Sequence, residues 1–179
     1  MKKYLAVGVI LMALSCTNTD KKNTQASTDS VSENKVVAAP AVVELTDSKV
    51  QNIYDGYIYL KDALVESKFE DAQKAATQLK SSLTNFPGCE NTAIIAEKIA
   101  SAKDIANQRK EFTYLSSDVI AMFKHADLKK GSIYVQHCPM ANNGDGGDWL
   151  ASEKQIQNPY YGDAMMDCGA VLEEIKASK

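Results

Sequence analysis

Between Leu45 and Ala126 apolar residues recur at three- and four-residue steps, the spacing that places them on one face of a helix. Val50, Ile53, Tyr54, Tyr57, Leu60 and Leu64 form the first stripe. Thr46 or Asp47 can cap its first N–H groups, and the helix ends near Ser67. Gly56 within it weakens the helix by ~1 kcal/mol unless close packing explains it. A second stripe from about Phe69 to Asn85 turns Ala72, Ala75, Ala76, Leu79, Leu83 and Phe86 inward, and Pro87-Gly88 stops it. A third, from about Asn91 to Asn107, carries Ile94, Ile95, Ile99, Ala102, Ile105 and Ala106. The fourth, from about Arg109 to Ala126, carries Phe112, Leu115, Val119, Ile120, Met122 and Phe123. Ala106-Asn107-Gln108-Arg109 holds neither Gly nor Pro, so the last two helices are expected to be nearly continuous. Amphipathic helices with short joins pack as antiparallel neighbours. The expected fold class is therefore all-α, an antiparallel four-helix bundle with an irregular C-terminal cap of short strand, loop and short helices.

That cap begins after Lys129-Lys130-Gly131. Ser132 to Gln136 is β-branched and aromatic and predicts a short strand. Ala141 to Asp148 has the composition of a loop, and Asp148 would cap a short helix over Trp149 to Gln157. Asn158-Pro159 breaks that helix, and Tyr160-Tyr161-Gly162 turns the chain. Asp163 would cap a last helix through Ala164 to about Ile175.

Ahead of the helices the sequence has a different character. Lys2 and Lys3 precede an apolar run, Tyr4 to Leu14, too short to remain as a membrane span. Ser15-Cys16 follows, then polar residues. This resembles a bacterial lipoprotein signal over residues 1–16 with Cys16 as the lipidated residue, although Ala13 stands where such signals carry Leu, Val or Ile. A simple secretory signal is the alternative. Residues 17–43 lack aromatic side chains and are rich in polar ones, so a flexible tether is expected there. The helical domain then spans 44–179, with a sulfur-rich segment at 132–175. The expected location is the cell envelope, anchored to a membrane and facing the periplasm, the outer membrane ahead of the inner.

An oxidising compartment changes the meaning of cysteine. With Cys16 acylated, Cys89, Cys138 and Cys168 remain, an odd number. Cys138 and Met140 stand two apart and share a face of an extended chain; Met165 and Cys168 stand three apart and share a face of a helix. Such pairs facing each other would present two thiolates and two thioethers, the soft donors that select Cu(I), while thiolates also suit Zn(II). His137 joins the set if a turn at Pro139 brings its imidazole round. The competing reading is a Cys138–Cys168 disulfide closing a loop of about 30 residues, worth ~3 kcal/mol, with the methionines as core filling.

His137-Cys138-Pro139-Met140-Ala141, Trp149-Leu150, Asn158-Pro159-Tyr160-Tyr161-Gly162 and Met165…Cys168-Gly169 together resemble an uncharacterised envelope domain of Gram-negative lipoproteins. It is also appended to periplasmic adaptor subunits of heavy-metal efflux systems. The weaker helical pattern from about Leu45 fits the same family. The resemblance implies a setting beside copper and silver export. Cys-Pro-Met also resembles the core of a small heavy-metal-binding motif, which continues with His-Pro where this chain has Ala141-Asn142.

The function expected from these readings is binding or buffering of a soft metal, Cu(I), with transfer to an efflux or cuproenzyme partner. Its ligands would be Cys138, Cys168, Met140, Met165 and His137. The alternative is a non-catalytic, disulfide-stapled module docking on another envelope protein. Other chemistries find little support. Two histidines rule out a three-histidine zinc centre within one chain, and 20 Lys+Arg against 23 Asp+Glu give a net charge of −3 with no basic stripe for nucleic acid. No Gly-rich phosphate loop or Cys-X-X-Cys pair occurs, and Asn142 to Asp148 fits no calcium-loop register. No enzymatic activity is expected.

Overall fold

The computed structural model describes residues 42–177, so Cys16, the signal region and nearly all of the 17–43 segment lie outside the described residues. Among the described residues four helices follow one another in sequence: α1 (Ser48–Val65), α2 (Phe69–Thr84), α3 (Glu90–Ala100) and α4 (Ile105–Phe123). Among the described residues, no helix is long and apolar enough to cross a membrane. The stripes place their residues as their spacing requires. Ile53, Tyr57, Leu60 and Leu64 of α1 are buried, as are Ala72, Ala75, Ala76, Leu79 and Leu83 of α2 and Phe112, Leu115, Val119 and Phe123 of α4. Asp47 caps α1 by accepting from the Lys49 N–H at 2.7 Å. A Cβ added at Gly56 would stand 3.4 Å from Leu79 Cδ1, so the glycine marks a close approach of α1 and α2.

Two helical expectations need correction. α3 and α4 are separate, because Asp104 caps a new helix through Asn107 N at 2.8 Å. Gln73 Nε2 donates to the Ala100 and Ala102 carbonyls, satisfying acceptors that a continuing helix would have used. Ile94 faces solvent, while the smaller Ala93 and Ala96 of α3 face the core.

The larger correction is to fold class. The chain is not all-α: its described residues carry five strands in two antiparallel sheets. β1 (Glu44–Leu45) pairs with β2 (Leu128–Lys130), clamping the start of α1 to the end of α4. The second sheet has the order β4-β3-β5, formed by β3 (Ser132–Cys138), β4 (Gly147–Ala151) and β5 (Ala170–Lys176). Ser132 to Gln136 is the expected strand. The helix expected over Trp149–Gln157 is instead β4 and an irregular segment, and the helix expected from Ala164 to Ile175 is a 3-10 turn, a loop and β5. Backbone pairing explains both outcomes, because each of these stretches completes one side of β3. Local helix preference in so short a run is weaker than a ladder of inter-strand hydrogen bonds along β3. Between Val135 and Gln136 the register with β5 skips Leu172, a bulge whose extra side chain faces solvent.

The sheet packs on the helices through aromatic rings and one buried hydroxyl. Tyr57 stacks on Phe112 at 5.5 Å, Phe112 meets Tyr160 at 5.8 Å, and Tyr160 meets Trp149 edge-on at 6.1 Å. The Tyr57 hydroxyl pairs with Ser116 Oγ at 2.6 Å and accepts the Leu150 N–H at 3.1 Å, joining α1, α4 and β4. Burial pushes this phenol well above the ordinary tyrosine range, an effect its two hydrogen bonds only partly offset. On the same helix Lys61 is fully buried, held by Asp62 at 2.6 Å and Glu153 at 3.2 Å, which ties α1 to the segment after β4.

Candidate sulfur site

Cys138 is the last residue of β3 and is fully buried opposite Gly147 of β4. Alternation along the strand puts it on the face that carries Gln136, and Gln136 Nε2 donates to the carbonyls of Glu153 and Gln155. The segment after β4 therefore lies across this face and returns along it toward β5. Cys168 sits at the end of that return, half-buried, with its Sγ 2.8 Å from Cys138 Sγ. An S–S bond is about 2.05 Å long, and thiolates sharing one metal stand about 3.5–4 Å apart for metal–sulfur bonds of ~2.3 Å. The pair lies between the two, in direct thiol–thiol contact.

What brings Cys168 there is a residue that the sequence offered only as a helix breaker. Asn158 is fully buried and uses both ends of its amide. Its Nδ2 donates to the Cys168 carbonyl at 3.0 Å, and its Oδ1 accepts the Tyr160 N–H at 2.8 Å. Its backbone N–H donates to Met166 O and its carbonyl accepts from Gly162 N, so the Asn158–Gly162 turn and the Met165–Cys168 turn form one unit. Gly169 completes the placement. At φ +149 it is in a region that L side chains rarely adopt, and a Cβ there would stand 2.7 Å from the His137 carbonyl and 3.0 Å from Trp149 Cη2. A glycine beside a cysteine and an asparagine before a proline were visible signals for both residues, but only the fold shows what they hold.

The other expected ligands are placed as follows. Met140 is exposed at 53%, and its carbonyl accepts the Tyr161 hydroxyl at 2.6 Å. Its backbone N–H favours the thiolate form of Cys168. Met165 is half-buried, and its carbonyl accepts the Cys168 N–H at 3.1 Å. Both methionines thus flank the pair in the backbone. His137 is one residue before Cys138 and points to the opposite face of β3, where its Nδ1 meets Asp148 Oδ1 at 2.6 Å. It is not brought to the sulfur pair. Cys89 stands apart at the start of α3, half-buried, its thiol pushed up by burial. Among the described residues, no cluster of three or more His, Cys, Asp or Glu side chains could hold a metal.

The contact changes the thiol chemistry. The hydrogen bond with Cys138, and burial after it, raise the Cys168 thiol above the ordinary cysteine value, with the Met140 N–H pulling weakly the other way. A raised thiol pKa favours the neutral form in the folded protein. The contact therefore stabilises the fold below the ordinary thiol pKa, and that contribution is lost as pH rises through the raised value. Under reducing conditions, alkylation of Cys168 by iodoacetamide should have a pH midpoint above the ordinary ~8.5. Cys138→Ala should lower that midpoint. An unchanged midpoint in the variant would remove Cys138 as the cause.

Residues 53–131 match the model of a family described as Protein of unknown function (DUF3347). The match runs from the first turns of α1 through β2 and covers the helical part, with the sulfur segment beyond it. No curated protein and no solved structure matches the chain.

Proposed function

We propose that this protein is a membrane-anchored envelope lipoprotein that binds a soft metal ion, Cu(I), through the thiolates of Cys138 and Cys168. The observation that carries the reading is the convergence of these two sulfurs, from opposite ends of a 30-residue excursion, to 2.8 Å. Two thiolates are a poor set for Zn(II), which takes four ligands in closed sites. They are a suitable one for Cu(I), which thiolates and thioethers select. Met140 and Met165, which lie beside the pair in the chain, are the thioethers that would extend the set. Loading would require the sulfurs to open by about 1 Å, and half-buried Cys168, on a turn, is the member placed to move. Lipid attachment at Cys16 would hold the domain at the membrane, the outer one by preference. The metal would pass to an efflux or cuproenzyme partner, with no catalysis by this chain.

The same short contact favours a second reading, a non-catalytic module stapled by a Cys138–Cys168 disulfide and docking on another envelope protein. Closing the bond needs an inward movement of under about 1 Å. Anaerobic titration of the reduced protein against a Cu(I)-chelating dye separates the two. The metal reading expects one tightly bound Cu(I) per chain, lost in both Cys138→Ser and Cys168→Ser. Undiminished binding in those variants overturns it. A native protein carrying the full Cys138–Cys168 disulfide and no metal by mass spectrometry establishes the second reading instead.

A further inference from the structure

On the other side of the β3–β4 connection, α4 and the loop after Cys138 enclose an open cleft of about 750 Å³, within the size range of small-molecule sites. Arg109, Lys110 and Tyr114 line it from α4, Asn142 and Asp145 from the loop, and Tyr161 from the turn after Asn158. Arg109 is half-buried and rigidly held: Nε donates to Pro159 O at 2.8 Å, and one terminal nitrogen donates to Leu64 O at 2.8 Å and Ser67 Oγ at 2.9 Å. All three acceptors are neutral. Neither Arg109 nor Lys110 forms an ion pair among the described residues, whereas most other lysines near carboxylates do.

A half-buried guanidinium loses hydration without gaining a countercharge, a cost that proteins ordinarily offset by pairing. Burial with nothing opposing it accordingly pulls the Arg109 pKa down. The other wall is organised as well. Asn142 and Asn143 both hold positive φ, and Asn142 is fixed by Thr113 Oγ1 at 3.1 Å and by its own bond to Gly146 O at 2.8 Å. Asp145 is the acidic side chain of the lining; against two cations it leaves the cleft positive in a chain of net charge −3.

We propose that this cleft binds a small molecule bearing an oxyanion, a carboxylate or a phosphate. The oxyanion would lie against the free terminal nitrogen of Arg109 and the Lys110 ammonium, with the body of the molecule against Tyr114 and Tyr161. The fork of a guanidinium suits both groups. This site is independent of the sulfur pair.

Backbone amide NMR on the reduced protein, in a buffer free of phosphate and carboxylates, tests the proposal with separate titrations of inorganic phosphate and citrate. Saturable shifts should concentrate at residues 109–114 and 142–146, and Lys110→Glu should weaken binding about tenfold or more. Lys110 is exposed, so the variant is expected to keep its melting temperature; Lys110→Gln serves if it does not. Response to phosphate alone, citrate alone or both assigns the class of oxyanion. No saturable shift at the cleft with either probe, or equal binding by both Lys110 variants and the unaltered chain, overturns the proposal.

Discussion

Trp149→Ala is expected to lower the unfolding free energy by about 4 kcal/mol, seen as a fall in urea midpoint with little change in slope. The indole is fully buried in β4 and is the sheet's end of the aromatic series that runs through Tyr160 and Phe112 to Tyr57. Removing it empties the junction between the sheet, α4 and the returning 152–168 segment, all of which are held in place by other contacts and cannot simply collapse into the void. Its Nε1 meets no acceptor among the described residues, so the loss is one of packing and not of hydrogen bonding. Trp149→Phe should therefore recover a large part of the stability without restoring any polar contact. A loss under about 1 kcal/mol in the alanine variant would show that the junction is not where sheet and helices are joined.

How much of this was legible in the residues depends on how local the cause is. The helices were readable because a 3.6-residue stripe and a cap such as Asp47 act within one segment. Ile94 misled because a small-residue face, Ala93 and Ala96, can bury itself against a neighbour as well as an isoleucine can. β4 and β5 were hidden for a different reason. Gly147-Asp148-Trp149-Leu150-Ala151 contains a good helix cap followed by good helix formers, and the Val171–Lys176 stretch is rich in Leu, Glu and Lys. Both are strands because β3 has two edges to fill, and that is a property of the assembled sheet. The candidate site divides in the same way. Cys138 and Cys168 were conspicuous as residues, and the fold sets their sulfurs 2.8 Å apart. Extending the set to His137 assumed a turn at Pro139, whereas β3 stays regular through Cys138 and sends the imidazole to Asp148. Asn158 was unreadable as a positioning group because its partners, the Cys168 carbonyl and the Tyr160 N–H, follow only from the fold.

Gly169→Ala should separate the two sulfurs without removing either. The residue holds φ +149, and its new Cβ would collide with the His137 carbonyl at 2.7 Å, a backbone atom fixed in the middle strand of the sheet. With β3 unable to give, relief must come from the chain around residue 169, which carries Cys168 on its adjoining peptide. Strain of this kind costs about 3 kcal/mol, and the expected relaxation lifts Cys168 away from Cys138 at the start of β5. Three readouts should therefore move together. The Cys168 thiol should return toward ordinary reactivity, because the hydrogen bond with Cys138 is the largest cause of its raised pKa. Air oxidation to the intramolecular disulfide should slow. Cu(I) affinity should fall although both cysteines remain, since a dithiolate pair binds tightly only when the fold holds its members together. Cys168→Ala in the same background provides the reference for complete loss. Should Gly169→Ala lower stability while leaving thiol reactivity, oxidation and Cu(I) affinity unchanged, the glycine would serve the sheet alone, and the placement of Cys168 would rest on Asn158.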